Sequence, residues 1–172
     1  MSGLKVLIVS DNHKDEYNLE ELINMYENEI DLWLHCGDSE FSIDHPLWDT
    51  YKTVRGNMDW ESQLPSVRME TLEDTTFGLL HGHRHQVKFS LDAMADVAAE
   101  NNASIIFYGH THVAAVDKQA GVYFINPGSI SQPRGQLRVG SYAIYEQNDE
   151  GEFIRFYDWD HNQLKELSQR LA

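Results

Sequence analysis

Short apolar runs alternate with amphipathic stretches along the chain, and four of those runs stop in the same kind of residue. Leu4-Lys5-Val6-Leu7-Ile8-Val9 leads into Ser10-Asp11-Asn12-His13, and Asp31-Leu32-Trp33-Leu34 into His35-Cys36-Gly37-Asp38. Thr76-Phe77-Gly78-Leu79-Leu80 leads into His81-Gly82-His83, and Ser104-Ile105-Ile106-Phe107-Tyr108 into Gly109-His110-Thr111-His112. Short apolar runs bounded by turn residues read as buried strands. Leu19, Leu22, Ile23 and Tyr26 recur at helical spacing and predict a helix over about 17–27. Leu91, Met94, Ala95 and Ala98 predict a second over about 87–101, ended by Asn101-Asn102. A short strand is expected at 51–54, and a hairpin from 67–71 and 76–80 with Glu73-Asp74 at its turn. Beyond His112 the runs at 113–116, 122–125, 142–145 and 153–157 predict antiparallel strands, followed by a last helix over about 162–170.

Strands and helices alternate first, and strands dominate later. That order supports an α/β or α+β domain, with two packed sheets and outer helices as one arrangement. The length of 172 residues suits a single domain over 1–172. A chain of this size buries roughly 70% of its unfolded surface, enough to fold without a disulfide.

The charge balance is 13 Lys and Arg against 28 Asp and Glu, a net −15. Such a field repels nucleic acid phosphates, so a nucleic-acid partner is unexpected. A small phosphoester stays open as a substrate, because bound cations reverse the local sign. The lone Cys36 cannot close an internal disulfide, which fits a reducing, cytoplasmic setting. No targeting segment or run of ~20 apolar residues is visible, so no membrane partner is expected. Trp33, Trp48, Trp60 and Trp159 read as packing residues, and a homo-oligomer is left open.

The chemistry gathers where strands end, which is where open α/β sheets place their sites. Asp11 and His13 flank one residue and share a face of extended chain. A carboxylate with an imidazole suits manganese, iron, nickel or zinc, although Asp11 fits a helix N-cap as well. Asp38 adds a carboxylate able to bridge two cations, and Asn57 a neutral oxygen; taken alone, each reads as a turn residue. Asp59 suits a cap or an acceptor that orients a ligand. In His81-Gly82-His83-Arg84-His85 the first imidazole sits at the strand end and reads as a ligand. His83 reads as a substrate-facing or orienting residue, and His85 as peripheral. Gly109-His110-Thr111-His112 is the strongest single motif, with two imidazoles facing one pocket after a tight exit from the strand. His35 reads as a structural residue.

Asp-x-His, Gly-Asp, Gly-Asn, His-Gly-His and Gly-His-x-His occur in this order, each after a strand. The ordered set resembles the calcineurin-like metallophosphoesterase superfamily, and its length and Gly56-Asn57-Met58-Asp59 form resemble the small YfcE-like phosphodiesterases. Asn126-Pro127-Gly128-Ser129 resembles a further family element. The resemblance implies a four-layer α-β-β-α sandwich of two mixed β-sheets. It implies two divalent ions, most often manganese, with nickel, iron or zinc as alternatives. One ion would take Asp11, His13, Asp38 and His112, and the other Asp38, Asn57, His81 and His110, with Asp38 bridging. The implied activity is hydrolysis of a small phosphodiester by a hydroxide shared between the ions, with Asp38, Asn57 and His83 in the catalytic set. A metal-binding scaffold of the same fold is the alternative, since a retromer subunit keeps this fold. One position departs from the pattern. Relatives outside the small subgroup carry His after Gly-Asn, and the subgroup often Cys, but here Met58 stands there and can donate no proton. Arg134 is expected to contact substrate or a second subunit.

Overall fold

The computed structural model describes residues 3–135 and 138–172. The elements run β1 (Leu4–Val9), α1 (Glu16–Tyr26), β2 (Leu32–His35), β3 (Tyr51–Thr53), β4 (Val67–Leu72) and β5 (Thr75–Leu80). They continue with α2 (Asp92–Asn101), β6 (Ile105–Phe107), β7 (Ala115–Gln119), β8 (Val122–Asn126), β9 (Ser141–Asn148), β10 (Gly151–Asp158) and β11 (Gln169–Arg170). A short 3-10 turn over Pro46–Asp49 precedes β3.

The two-residue period of β1 explains the layering. Leu4, Val6 and Ile8 join a cluster with Leu32, Leu34, Phe77, Leu79, Ile105, Phe107 and Ile125. Leu7 and Val9, on the other face, join Leu19 and Leu22 of α1. A strand buried on both faces is apolar at nearly every position, and in β1 only the partly buried Lys5 interrupts the run. The first sheet has the order β11-β10-β9-β1-β2-β3, with β1, β2 and β3 parallel and β9 and β10 antiparallel to their neighbours. The second has the order β4-β5-β6-β8-β7, with β5, β6 and β8 parallel. Its outer face packs Leu80, Ile106 and Phe124 on Met94 and Ala98 of α2. The layers are therefore α1, first sheet, second sheet and α2, the four-layer sandwich of mixed sheets that the resemblance implies.

Three expectations change. The second helix starts at Asp92, not near residue 87. Residues before it form successive turns, and Gln86 takes φ +53°, which a right-handed helix cannot contain. The helix still ends at Asn102, in the left-handed region at φ +54°. The expected helix over 162–170 is instead an extended and turn segment that lies along β10 and ends in β11. Leu164 N–H donates to Phe156 O at 2.7 Å, and Phe156 N–H donates to Ser168 Oγ at 2.9 Å. The edge of β10 facing away from β9 supplies hydrogen bonds that an isolated helical turn lacks. Leu164, Leu167 and Leu171 keep their apolar role against the inter-sheet cluster. Trp33, Trp48 and Trp159 pack as expected, whereas Trp60 is 64% exposed.

Candidate metal centre

All the metal-seeking side chains follow the C-terminal ends of parallel strands: Asp11 and His13 after β1, Asp38 after β2, Asn57 after β3, His81 after β5, His110 and His112 after β6. The sheets face one another, so these loops meet at one end of the sandwich. Asp11, His13, Asp38 and His112 each aim a ligand atom into one space, all within 4.8 Å of one another. His112 Nε2 lies 3.2 Å from Asp11 Oδ1 and 3.3 Å from His13 Nε2. Beside them, His81 Nε2 lies 3.2 Å from Asp38 Oδ2 and 3.0 Å from Asn57 Oδ1. His110 Nδ1 lies 3.1 Å from that same Asn57 oxygen. All seven sequence-derived ligand candidates therefore converge, with Asp38 between the two groups.

The partners of these side chains select their free atoms. His112 Nδ1 sits 2.7 Å from Gln132 O and His81 Nδ1 2.8 Å from Cys36 O. Carbonyls only accept, so Nδ1 carries the proton and Nε2 presents a lone pair. His13 Nδ1 faces Glu40 Oε2 at 3.1 Å in the same sense. Asp11 Oδ2 accepts from Ser10 Oγ at 2.6 Å and from His110 N–H at 3.2 Å. Asp11 Oδ1 is buried with no hydrogen-bond donor among the described residues. A buried carboxylate oxygen left this way is costly unless a cation meets it, so the donor set fits divalent metal.

The electrostatics agree. Burial alone would raise the Asp38 carboxyl, but the hydrogen bond and charge of His81, the Met58 N–H and His13 hold it at about 2. Burial opposes charge on His81, yet Asp38 and Asp11 raise its pKa. The carboxylates thus draw positive charge to this spot. Burial takes His110 down to about 4, helped by the charges of His81 and Lys88, so the ring is neutral and keeps one nitrogen lone pair for a cation.

The backbone is bent to make this convergence. Asp11, His13, Asp38, His110 and His112 all have positive φ, between +44° and +71°. Non-glycine residues rarely adopt that conformation, and it is concentrated here at five of the seven candidates. The neighbouring glycines serve close approach. A Cβ on Gly56 would collide with Asp38 Oδ1, and one on Gly109 with Ser10 Oγ and Asp11 Oδ2.

A second ring of residues holds the loops. Asp59 accepts from Asp38 N–H at 2.9 Å, Gly56 N–H at 2.6 Å and Glu40 N–H at 2.7 Å, so it orients ligands as the sequence suggested. Asp59→Ala should weaken metal affinity about 10–100-fold, as loss of an outer-shell partner does; calorimetric Mn²⁺ titration checks this. Asn126 Nδ2 donates to Gly109 O and Thr111 Oγ1, and Ser129 and Ser131 both donate to Asp11 O. Ser131 and Gln132 lie beyond the recognised Asn-Pro-Gly-Ser segment and carried no signal of their own. Asp11 is not a helix cap; Asp15 caps α1. His35 is buried between Asn12 Oδ1 and Gly37 N–H, a structural role.

A cleft of about 470 Å³ opens over the cluster. Met58, Lys14, Lys88 and Arg134 line it with His13, Asp38, Asn57, His110 and His112. Lys14 and Lys88 had no sequence signal beyond their charge. His83 is not among the residues lining the cleft; its ring stands 5.5 Å from that of His81 and 6.3 Å from that of His110.

Known proteins resemble this chain in sequence and fold. The calcineurin-like phosphoesterase superfamily domain matches residues 4–150. A probable metallophosphoesterase of Bacillus subtilis strain 168, YsnB, is 36% identical over 98% of this chain and 99% of its own. The crystal structure of a conserved Streptococcus pneumoniae TIGR4 protein, described as a predicted phosphoesterase, superposes with a TM-score of 0.93 at 35% identity, covering 99% of this chain and 98% of that one. Vacuolar protein sorting 29 of Cryptosporidium parvum shares the fold at a TM-score of 0.77 and 18% identity, over 99% of this chain and 98% of that one. With its profile matched from the first strand through the ninth and its ligand-type residues converging at the strand ends, the chain belongs to the calcineurin-like phosphoesterase superfamily.

Proposed function

We propose that this protein is a metal-dependent phosphodiesterase acting on a small phosphodiester, with residues 1–172 forming one domain. Asp11, His13, Asp38 and His112 would hold one divalent ion, and Asp38, Asn57, His81 and His110 the other. The observation that carries the reading is the buried, donorless Asp11 Oδ1 beside the convergent ligand atoms of His13, Asp38 and His112. The donors are oxygen and imidazole nitrogen with no thiolate, which suits manganese and leaves nickel, iron and zinc as alternatives. When bound, two such ions activate a water and neutralise charge on a phosphoryl group. The chain's own part is positional. Asp38 keeps the two ligand groups in fixed register, the Nδ1–H hydrogen bonds lock three imidazoles, and the cationic rim of the cleft attracts an anion into an acidic protein. Met58 brings no proton to the leaving group, so His83 or solvent must.

No helix among the described residues is long and apolar enough to cross a membrane, and Cys36 is a buried free thiol. A cytoplasmic setting is part of the proposal. The fold likeness to vacuolar protein sorting 29 gives the second reading, a scaffold with little activity. The full set of ligand-type side chains and the open cleft favour the enzyme.

The test is metal content followed by a phosphoester panel. Protein stripped with a chelator should lose turnover of bis(p-nitrophenyl) phosphate, and Mn²⁺ should restore most of it. Full activity in demonstrably metal-free protein would overturn the proposal.

A further inference from the structure

The cleft holds more positive charge than a single phosphodiester requires. Lys14, Lys88 and Arg134 all line it and are all exposed. None of the three pairs with a carboxylate among the described residues, whereas Arg68 pairs with Glu70 and Arg155 with Glu146. In a chain with 13 basic and 28 acidic residues, unpaired cations gathered at one cleft need a reason. Glu40 also lines the cleft, but its carboxylate is engaged with His13 Nδ1 at 3.1 Å.

The three cations stand on two sides. Lys14 follows His13 directly, and its N–H donates to Ser39 O at 2.9 Å. Arg134 N–H donates to His112 O at 2.9 Å, so both belong to the His13–His112 side. Lys88 comes from the turns before α2 and lines the cleft with Asn57 and His110, of the second ligand group. A diester phosphate carries one negative charge, which two divalent ions already exceed. Cations placed beyond them act on the arms of the ester, and they favour an arm that is itself anionic.

We propose that the substrate is a phosphodiester bearing a further phosphate on one arm, bound by Lys14, Lys88 and Arg134. The inference rests on the proposed phosphodiesterase reading of the metal centre.

Its test is a matched pair of ligands, thymidine 3′,5′-bisphosphate and thymidine 5′-monophosphate, titrated calorimetrically into the Mn²⁺-loaded full chain at low salt. The bisphosphate should bind about tenfold more tightly, as several weak exposed charge contacts together allow. Raising the salt should erase most of that preference. Replacing all three residues with alanine should bring the ratio of the two dissociation constants to about one. Exchanging the two lysines for arginine should preserve it, which separates lost charge from a disturbed fold. A ratio near one in the parent protein, or a tenfold ratio surviving the triple alanine change, would overturn the inference. Hydrolysis of bis(p-nitrophenyl) phosphate is measured alongside. Hydrolysis without the binding preference removes this inference alone, and the preference without hydrolysis removes the phosphodiesterase reading while leaving the phosphate site.

Discussion

Asp38→Ala protein is expected to hold fewer than two Mn²⁺ ions per chain and to lose at least about 10²–10³-fold in aryl phosphodiester turnover, the loss typical of removing one preorganised electrostatic group. The expectation comes from where the carboxylate stands. One of its oxygens lies within 4.8 Å of the ligand atoms of Asp11, His13 and His112. Its Oδ2 is 3.2 Å from His81 Nε2, in the other group. Asp11 also reaches His81, but at 3.8 Å, so Asp38 is the carboxylate nearer to that imidazole and its removal should damage both sites. His112→Ala is the contrast, since His112 belongs to the first group and should mainly weaken one ion. Elemental analysis of both variants, purified with the same metal supply, separates the cases. If Asp38→Ala retained two ions and normal turnover, the bridging assignment would be wrong.

Aryl diesters should turn over far faster than alkyl diesters, because no proton donor stands at position 58. A positioned general acid is worth ~10²–10⁴-fold. Met58→His should therefore raise activity selectively on alkyl esters. The change should leave metal content alone, since it is the Met58 backbone N–H that donates to Asp38 Oδ1, at 2.8 Å, and the side chain is 53% exposed over the cleft. His83 is the rival donor. Burial, with the charges of His81 and Arg84, lowers its pKa, which leaves it mostly neutral at pH 7 and a poor source of protons. If His83 nevertheless supplies the proton, His83→Ala should cost most on alkyl esters while Met58→His changes little. Equal rates on the two esters in the parent, unmoved by either substitution, would show that neither residue handles the leaving group.

The strands that carry the site were legible because both of their faces are buried. Residues 4–9 are apolar except for Lys5 and residues 105–107 are apolar throughout, and polar or glycine residues soon after each mark its end. The ligand candidates were legible for the same reason, since Asp11 and His110 come within a few residues of the ends of such runs. The carboxy-terminal segment misled because Leu164, Leu167 and Leu171 repeat at a spacing that suits a helix. The same three residues reach the inter-sheet core from turns once the edge of β10 takes their backbone. Local spacing holds no record of a sheet edge formed by residues far away in the chain. Lys14 and Lys88 were invisible for a similar reason. An exposed lysine beside a cleft and one on open surface look alike in sequence, and only the fold brings the loop before α2 to His110. The left-handed backbone at five candidate positions was equally hidden, because Asp and His give no glycine-like warning of it.

Each proposed ion takes ligands from both sheets: the first from Asp11, His13 and Asp38 on one side and His112 on the other, the second from Asp38 and Asn57 against His81 and His110. The pair would then act as a rivet across the sandwich. Sliding one sheet over the other would pull every coordination shell apart, so binding energy at this end becomes resistance to opening of the whole core. The lifetime of this protein against heat and proteases would accordingly follow the metal supply of its surroundings.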